Sequence, residues 1–181
     1  MMSLVNILSK YHVMLLNAAK ITLIVSIITI ILGLIFGTLM AFMKMSKIPP
    51  LRWFANVYVE FIRGTPVLVQ ISIVFYGLPM MGIDIPSIMV GGVDISRLVS
   101  GIVALSINST AYVCEIVRSG IQSISIGQTE GALALGMTNM RARFCIVLPQ
   151  AMKNILPALG NEFITIIKTS SQVSVIGIAE L

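Results

Sequence analysis

Charge is scarce in this sequence. Only 10% of its 181 residues are Asp, Glu, Lys or Arg, where a soluble domain carries about a quarter. With 57% hydrophobic residues and a mean hydropathy of +1.00, lipid rather than water is its main solvent. Histidine and cysteine are nearly missing as well. His12 has no metal-ligand companion, and Cys114 and Cys145 sit in or beside apolar runs with no second thiol nearby. Zinc sites, disulfide frameworks and Cys/His nucleophile pairs are thereby excluded, and both cysteines read as small buried hydrophobes. Neither His-Glu-x-x-His nor the phosphate loop Gly-x4-Gly-Lys-Ser/Thr occurs, so no metalloenzyme or ATPase chemistry is expected of this chain. There is no internal repeat and no low-complexity tract. The formal net charge is +5, but its bases are dispersed over two short connecting regions. That pattern fits the positive-inside bias of membrane proteins and argues against a nucleic-acid partner.

What the chain does have is long uncharged runs. Ile21 to Met43 carries no charge and is long enough to cross a hydrocarbon core of roughly 30 Å. It lacks the short apolar core and cleavage site of a signal peptide. Gly64 to Ile83 is a second run, preceded by "RWFANVYVEFIR", and Leu98 to Cys114 is a third, ending in "EIVR". A fourth starts near Gln150; it is the most polar, and Pro157 and Gly160 are expected to bend or break it. These features predict an all-α, polytopic membrane protein with four transmembrane helices. Lys44, Lys47 and Arg52 follow the first run, and Arg118, Arg141, Arg143 and Lys153 lie between the third and fourth. The loop between the second and third has Asp84, Asp94 and only Arg97. The basic loops are therefore read as cytoplasmic and the N-terminus as outside. "GLIFG", Gly33 to Gly37, is a small-xxx-small pair that would let another helix approach closely.

The segment "TEGALALGMTNMRARFCIVLPQA" (Thr129 to Ala151) is the part of the chain that grease does not explain. Thr129 reads as a helix N-cap with Glu130 favoured at the positive helix end. Gly136 ends or bends the helix, and Thr138 or Asn139 starts another turn. The resulting elbow is either an amphipathic helix resting on lipid headgroups or a knob that fits a groove on a soluble partner. In the second case Gly131, Ala132 and Gly136 matter because close contact leaves no room for large side chains.

Glu130-Gly131-Ala132, then Gly136, then Ile146, Leu148 and Pro149 resemble the signature loop of permease subunits of bacterial ABC importers: Glu-Ala-Ala, three residues, Gly, nine residues, Ile-x-Leu-Pro. Gly131 stands where the first Ala is usual. "YVEFIRGTPVLVQISIVFYGLP", "SINSTAYVCEIVRSGIQSISIGQTEGALALG" and "LPQAMKNILPALGNEFITIIKTSSQVSVIGIAEL" are similar to the permeases for polar amino acids, over nearly the whole chain. The resemblance implies one transmembrane permease domain over residues 1–181 in a bacterial inner (cell) membrane. It also implies a cytoplasmic coupling loop at 129–150, with a short coupling helix between spans three and four. It implies a core of five spans, so a final one is expected after "IGIAEL", and the chain reads as truncated at Leu181. The implied partners are a dimer of cytoplasmic ATPases, a second permease subunit (alike or different) and an extracellular or periplasmic substrate-binding protein. No cofactor is expected on this chain; ATP and Mg belong to the ATPase.

The candidate substrate pathway follows from polar residues inside the runs, which are costly in lipid and usually face an interior. Asn161, Thr165, Lys168 and Gln172, with Glu162 and Thr169, make one side of the fourth run polar. Either Lys168 reaches outward and Glu162 pairs with a neighbouring span, or this face lines a path. An amino acid brings an ammonium and a carboxylate, which Glu162 with Lys168 or Arg63 would complement. Free N–H groups at a helix break near Arg63, Gly64, Thr65 and Pro66 would also hold a carboxylate. Gln70 and Asn108 complete the candidate set, Asn108 either lining the path or bonding a neighbouring backbone. Glu115 and Arg118 read as an interfacial ion pair. Lys168-Thr169-Ser170-Ser171 stands where the resemblance leads one to expect Lys-Asp-Thr/Ser-Ser, so an acid is missing at Thr169 and a neutral or differently charged amino acid is expected. The rival readings are an ion-gradient-driven carrier, which would leave the elbow unexplained, and an intramembrane enzyme, for which no catalytic set exists.

Overall fold

The structure, a computed structural model, describes residues 4–83, 89–90 and 93–177. Its frame is a pair of helices, α1 (Leu4–Lys44) and α5 (Ser96–Gln122). In lipid there is no hydrophobic force between helices, so their association depends on close packing, and small residues permit it. A Cβ on Gly33 would collide with the Ser109 hydroxyl, and one on Gly37 would lie 2.7 Å from Val113 Cβ and 2.9 Å from the Thr110 carbonyl. The pair anticipated in "GLIFG" is thus the α1–α5 crossing. Rising α1 numbers meet rising α5 numbers, so the two helices run parallel. Thr22, Val25, Ser26, Thr29, Met40 and Ala41 extend the same buried stripe on α1.

Parallel neighbours need a return path. It is made by α2 (Pro49–Gly64) and α3 (Val67–Ser72), a π turn (Ile73–Gly77) and α4 (Leu78–Met80). A two-residue antiparallel ribbon, β1 (Met89–Val90) with β2 (Val93–Asp94), precedes α5. After α5 come α6 (Ile126–Ala134), α7 (Asn139–Ala142), a second π turn (Arg143–Val147), α8 (Leu148–Ser170) and a 3-10 turn (Ser171–Ile176). The α8 helix packs antiparallel on α5: a Cβ on Gly120 would strike Ile155, and Asn154 bonds Ser123 at 2.8 Å.

Both π turns have one cause. Each precedes Leu-Pro, and the Leu N–H reaches back five residues, Leu78 to the Ile73 carbonyl and Leu148 to that of Arg143. Pro79 and Pro149 lack an N–H and crowd the carbonyl four residues back, which widens the turn.

Two buried clusters meet on α5. One joins Met40, Ala55, Val59, Val113, Val117 and Ile155; the other joins Val25, Ile71, Val74, Leu105, Val173 and Ile176. Cys114 is buried as expected, but Cys145 is exposed, because the second π turn lies on the outside of the fold.

The expected count of four spans is overturned. Among the described residues, two helices are long and apolar enough to cross a membrane, Tyr11–Lys44 and Ser96–Gln122, or three if Pro49–Gly64 and Val67–Met80, bent by 105°, count as one span. The α8 helix is not among them; Lys153, Glu162 and Lys168 together with its amides dilute its apolar content. The reading of a coupling helix set between spans three and four falls with that count. Two short helices, α6 and α7, occupy that stretch instead. Pro157 sits inside α8 without breaking it. Asp84 and the tail at 178–181, where a further span was expected to follow, lie outside the described residues.

Candidate functional site

The site begins at the corner between α2 and α3. A residue before proline is pushed out of the helical region, and Thr65, before Pro66, is extended at φ −113°, ψ 141°. Helix α2 therefore stops at Gly64. The Thr65 hydroxyl donates to the carbonyls of Phe61 (3.1 Å) and Ile62 (3.3 Å), covering groups the helix end leaves open. Gln70, buried, donates through Nε2 to the Ile62 carbonyl (2.7 Å), the Thr65 carbonyl (3.1 Å) and Thr65 Oγ1 (2.8 Å). Its Oε1 accepts from Asn108 Nδ2 at 3.0 Å. One amide side chain thus ties the corner to α5.

Two open clefts flank this corner. One, of about 400 Å³, is lined by Arg63, Gly64, Thr65, Pro66, Val67, Asn108, Tyr112, Glu162, Thr165 and Thr169. The other, of about 500 Å³, is lined by Lys44, Val59, Glu60, Arg63, Gly64, Tyr112, Glu115 and Arg118. They share Arg63, Gly64 and Tyr112. The Arg63 guanidinium lies 5.2 Å from the Tyr112 ring centroid, a cation–π distance. In the first cleft Glu162 is the only carboxylate and Arg63 the only guanidinium, and neither forms a salt bridge among the described residues. In the second, both oxygens of Glu115 are held by cations: Lys44 Nζ approaches Oε1 at 2.5 Å, and Arg118 Nη2 and Nε donate to Oε2 at 2.7 and 3.0 Å.

The α8 wall of the first cleft is a ladder of acceptors. Thr165 Oγ1 donates to the Asn161 carbonyl (3.0 Å) and Thr169 Oγ1 to that of Thr165 (2.8 Å). Their hydroxyl protons are committed, so the oxygens offer lone pairs alongside the Glu162 carboxylate.

The elbow lies elsewhere, between α5 and α8. The N-cap of α6 is Ser125, which accepts from Gly127 N at 3.3 Å, four residues before the expected Thr129. The helix starts earlier because Ser125 reaches its own turn first, leaving Thr129 and Glu130 inside it. Gly136, at φ +80°, ends α6: Met137 N donates to the Ala132 carbonyl (3.1 Å) and Gly136 N to that of Leu133 (2.9 Å). Such a left-handed cap favours glycine. Thr138 caps α7, accepting from Arg141 N at 3.4 Å. Ile126, Leu135, Met140 and Phe144 are exposed here, Leu135 by 87%.

A family model described as "Binding-protein-dependent transport system inner membrane component" matches residues 30–181. The chain belongs to this family. As such it is an inner-membrane, multi-pass permease component of an ABC importer, a transport subunit and not a catalyst. It is 41% identical over 166 residues, 92% of this chain and 72% of the relative, to the arginine transport system permease protein ArtQ of Bacillus subtilis (strain 168). It is 40% identical to a putative glutamine transport system permease protein GlnP of Rickettsia felis (strain ATCC VR-1525 / URRWXCal2), covering 89% of this chain and 70% of that one. A crystal structure of an amino acid ABC transporter with histidines superposes with TM-score 0.86 at 44% identity, covering 96% of this chain and 77% of the other. The inward-facing MetNI methionine transporter, with TM-score 0.67 at 18% identity over 92% of this chain and 76% of that one, shares the fold.

Within the permease, the candidate pathway residues divide. Arg63, Gly64, Thr65, Pro66, Asn108, Glu162 and Thr169 line one cleft, and Gln70 braces it from behind. Lys168 does not line it. Ser170 is buried and bonds the Ile167 carbonyl, and exposed Ser171 bonds that of Lys168. Of the elbow set, Glu130, Gly131, Gly136, Leu148 and Pro149 are exposed, Ile146 is half-buried and Ala132 is buried. A Cβ on Gly131 would meet nothing within 4 Å, so the Ala usual at this position would fit. Thr165, read on the polar face of the fourth run, also lines this cleft; Tyr112 was not among the candidate pathway residues, although its spacing of four residues from Asn108 carried the signal. Lys44 as the second partner of Glu115 had no such signal, since it arrives from another helix.

Proposed function

We propose that this permease subunit carries a polar amino acid inward by alternating access, with the partner ATPase supplying the work. The observation that carries the reading is the pairing in the first cleft. Arg63 and Glu162 face the same space without bridging each other, and an amino acid brings a carboxylate for one and an ammonium for the other. The acceptors of Thr165 and Thr169 then meet the ligand's side chain. With no second acid at Thr169, a neutral donor such as a primary amide fits better than a cation. The two clefts are open on the surface of one subunit, and a second permease subunit, alike or different, closes the path. A substrate-binding protein delivers from the far side. The bases at Lys44, Lys47, Arg141 and Arg143 support an N-terminus outside and an elbow in the cytoplasm. The exposed apolar side chains of the elbow, with Glu130, Gly131 and Gly136 among them, suit docking into a groove of the ATPase. The family and the relatives reported above favour this reading over an ion-gradient-driven carrier.

The test is uptake into proteoliposomes holding the complete importer, with L-glutamine, L-arginine and L-cystine in competition. A neutral amide is expected to compete best, and arginine outcompeting every neutral amino acid would overturn the selectivity reading. In the same complex, Glu130→Lys and Gly136→Asp are expected to lose co-purification with the ATPase while membrane insertion persists. Normal pairing in both variants would remove the docking assignment.

A further inference from the structure

Arg63 lies among carboxylates that ought to capture it. Glu60 is three residues earlier on α2, a spacing at which helical side chains meet, and Glu115 lines the same cleft. Yet Arg63 forms no salt bridge among the described residues. Two features explain its freedom. The guanidinium lies over the ring of Tyr112, on α5, 5.2 Å from its centroid. Glu115 has both oxygens occupied, Oε1 by Lys44 and Oε2 by Arg118, whose Nη1 is in turn anchored on Gln122 Oε1 at 2.5 Å.

We infer that Tyr112 and the Lys44–Glu115–Arg118 cluster are positioning residues that keep Arg63 free to receive a carboxylate. The inference rests on the reading of Arg63 as the carboxylate receptor. A guanidinium already paired must give up that bond before it takes a ligand, and the loss appears as weaker binding. The cluster satisfies the rival acid on α5 with two other cations, one of them from α1. The stack on Tyr112 costs little to leave, because a ring face is a weaker partner than a carboxylate. Arg63 is thus held in place without being consumed.

The test is uptake of L-glutamine by the full importer in proteoliposomes, or of L-arginine if the wild-type complex takes that instead, with KM and kcat separated. Lys44→Met leaves Glu115 Oε1 open to Arg63, and KM is expected to rise about tenfold with kcat little changed. Arg118→Gln opens Oε2 and is expected to do the same, which keeps the test alive should Lys44→Met fail to assemble. Tyr112→Ala is expected to raise KM similarly, and Tyr112→Phe, which keeps the ring face, to stay within about twofold. The deciding variant is Lys44→Met with Glu115→Gln: removing the acid that would capture Arg63 is expected to restore KM while the melting temperature of Lys44→Met stays within a few degrees of wild type, whereas a merely structural ion pair would lower and restore the melting temperature together with KM. Wild-type KM in both Lys44→Met and Arg118→Gln, or a double variant no better than Lys44→Met alone, overturns the inference. An unchanged KM in Arg63→Gln would instead remove the receptor reading beneath it, so the two failures are distinguishable.

Discussion

Helices α1 and α8 both pack along α5, and they do so by opposite means. The α1 interface is a stripe of small residues, with Gly33 and Gly37 against Ser109, Val113 and Thr110. Its remaining circumference is apolar: Leu23, Ile24, Ile27, Ile31, Ile35 and Phe36 are exposed. The α8 face is polar, with Glu162 nearly buried and Thr165 and Thr169 along a cleft. One helix meets membrane criteria and the other does not. The difference separates two jobs. A helix that only holds the frame tolerates any lipid-compatible surface but needs an intimate contact. A helix that handles a polar ligand keeps groups that lipid penalises, and leans on its neighbour for the rest.

The sharpest way to break this contrast is to spoil the α1 contact. Gly37→Leu drives a side chain into space where even a Cβ would lie 2.8 Å from Val113 Cγ1 and 2.9 Å from the Thr110 carbonyl. Backbone cannot yield as a side-chain tip can, so the loss is expected near the upper end for overpacking, about 3 kcal/mol. Thermal unfolding of the detergent-solubilised complex measures it. A Gly37→Leu subunit as stable as wild type would mean the α1–α5 crossing is looser than described.

On α8 the expected effect is functional and not structural. Glu162→Gln keeps the shape of the side chain and removes the only carboxylate among the described residues that line the first cleft. Its uptake KM is expected to rise about thirtyfold, the worth of one charge-assisted hydrogen bond of about 2 kcal/mol, with the melting temperature within a few degrees. A variant that melts early yet transports normally would reverse the roles assigned to the two helices.

How much of this was legible in the sequence follows the same division. The glycines of "GLIFG" announced a close crossing because spacing alone puts Gly33 and Gly37 on one helical face. Thr65–Pro66 announced the break for an equally local reason. Gly136 marked the end of α6, since a left-handed residue is what glycine supplies. The partner of each element was not legible. The loop charges already gave the first and third runs one direction, but nothing in the sequence says that α1 and α5 pack together, that Lys44 reaches Glu115, or that Gln70 bonds Asn108 from 38 residues away. The π turns were written twice as Leu-Pro, yet the widened turn follows only when the helix continues through the proline. The number of spans failed for a physical reason too. Polar residues that make α8 interesting as a wall are the same ones that deny it an apolar profile.

The smallest expected effect tests whether α1 is indifferent to polarity. Thr29 is fully buried, and its hydroxyl, like those of Ser26 and Ser106, has no hydrogen-bond partner among the described residues. A buried hydroxyl without a partner contributes little, and an apolar group of the same shape loses nothing on replacing it. Thr29→Val is therefore expected to be neutral or to stabilise by up to about 1 kcal/mol, with uptake unchanged. Thermal unfolding beside Gly37→Leu gives the scale. A loss of about 2 kcal/mol or more would show that the hydroxyl bonds across the α1–α5 seam. The seam would then be held by polar contacts as well as by close approach, and α1 would resemble α8 more than its apolar surface suggests.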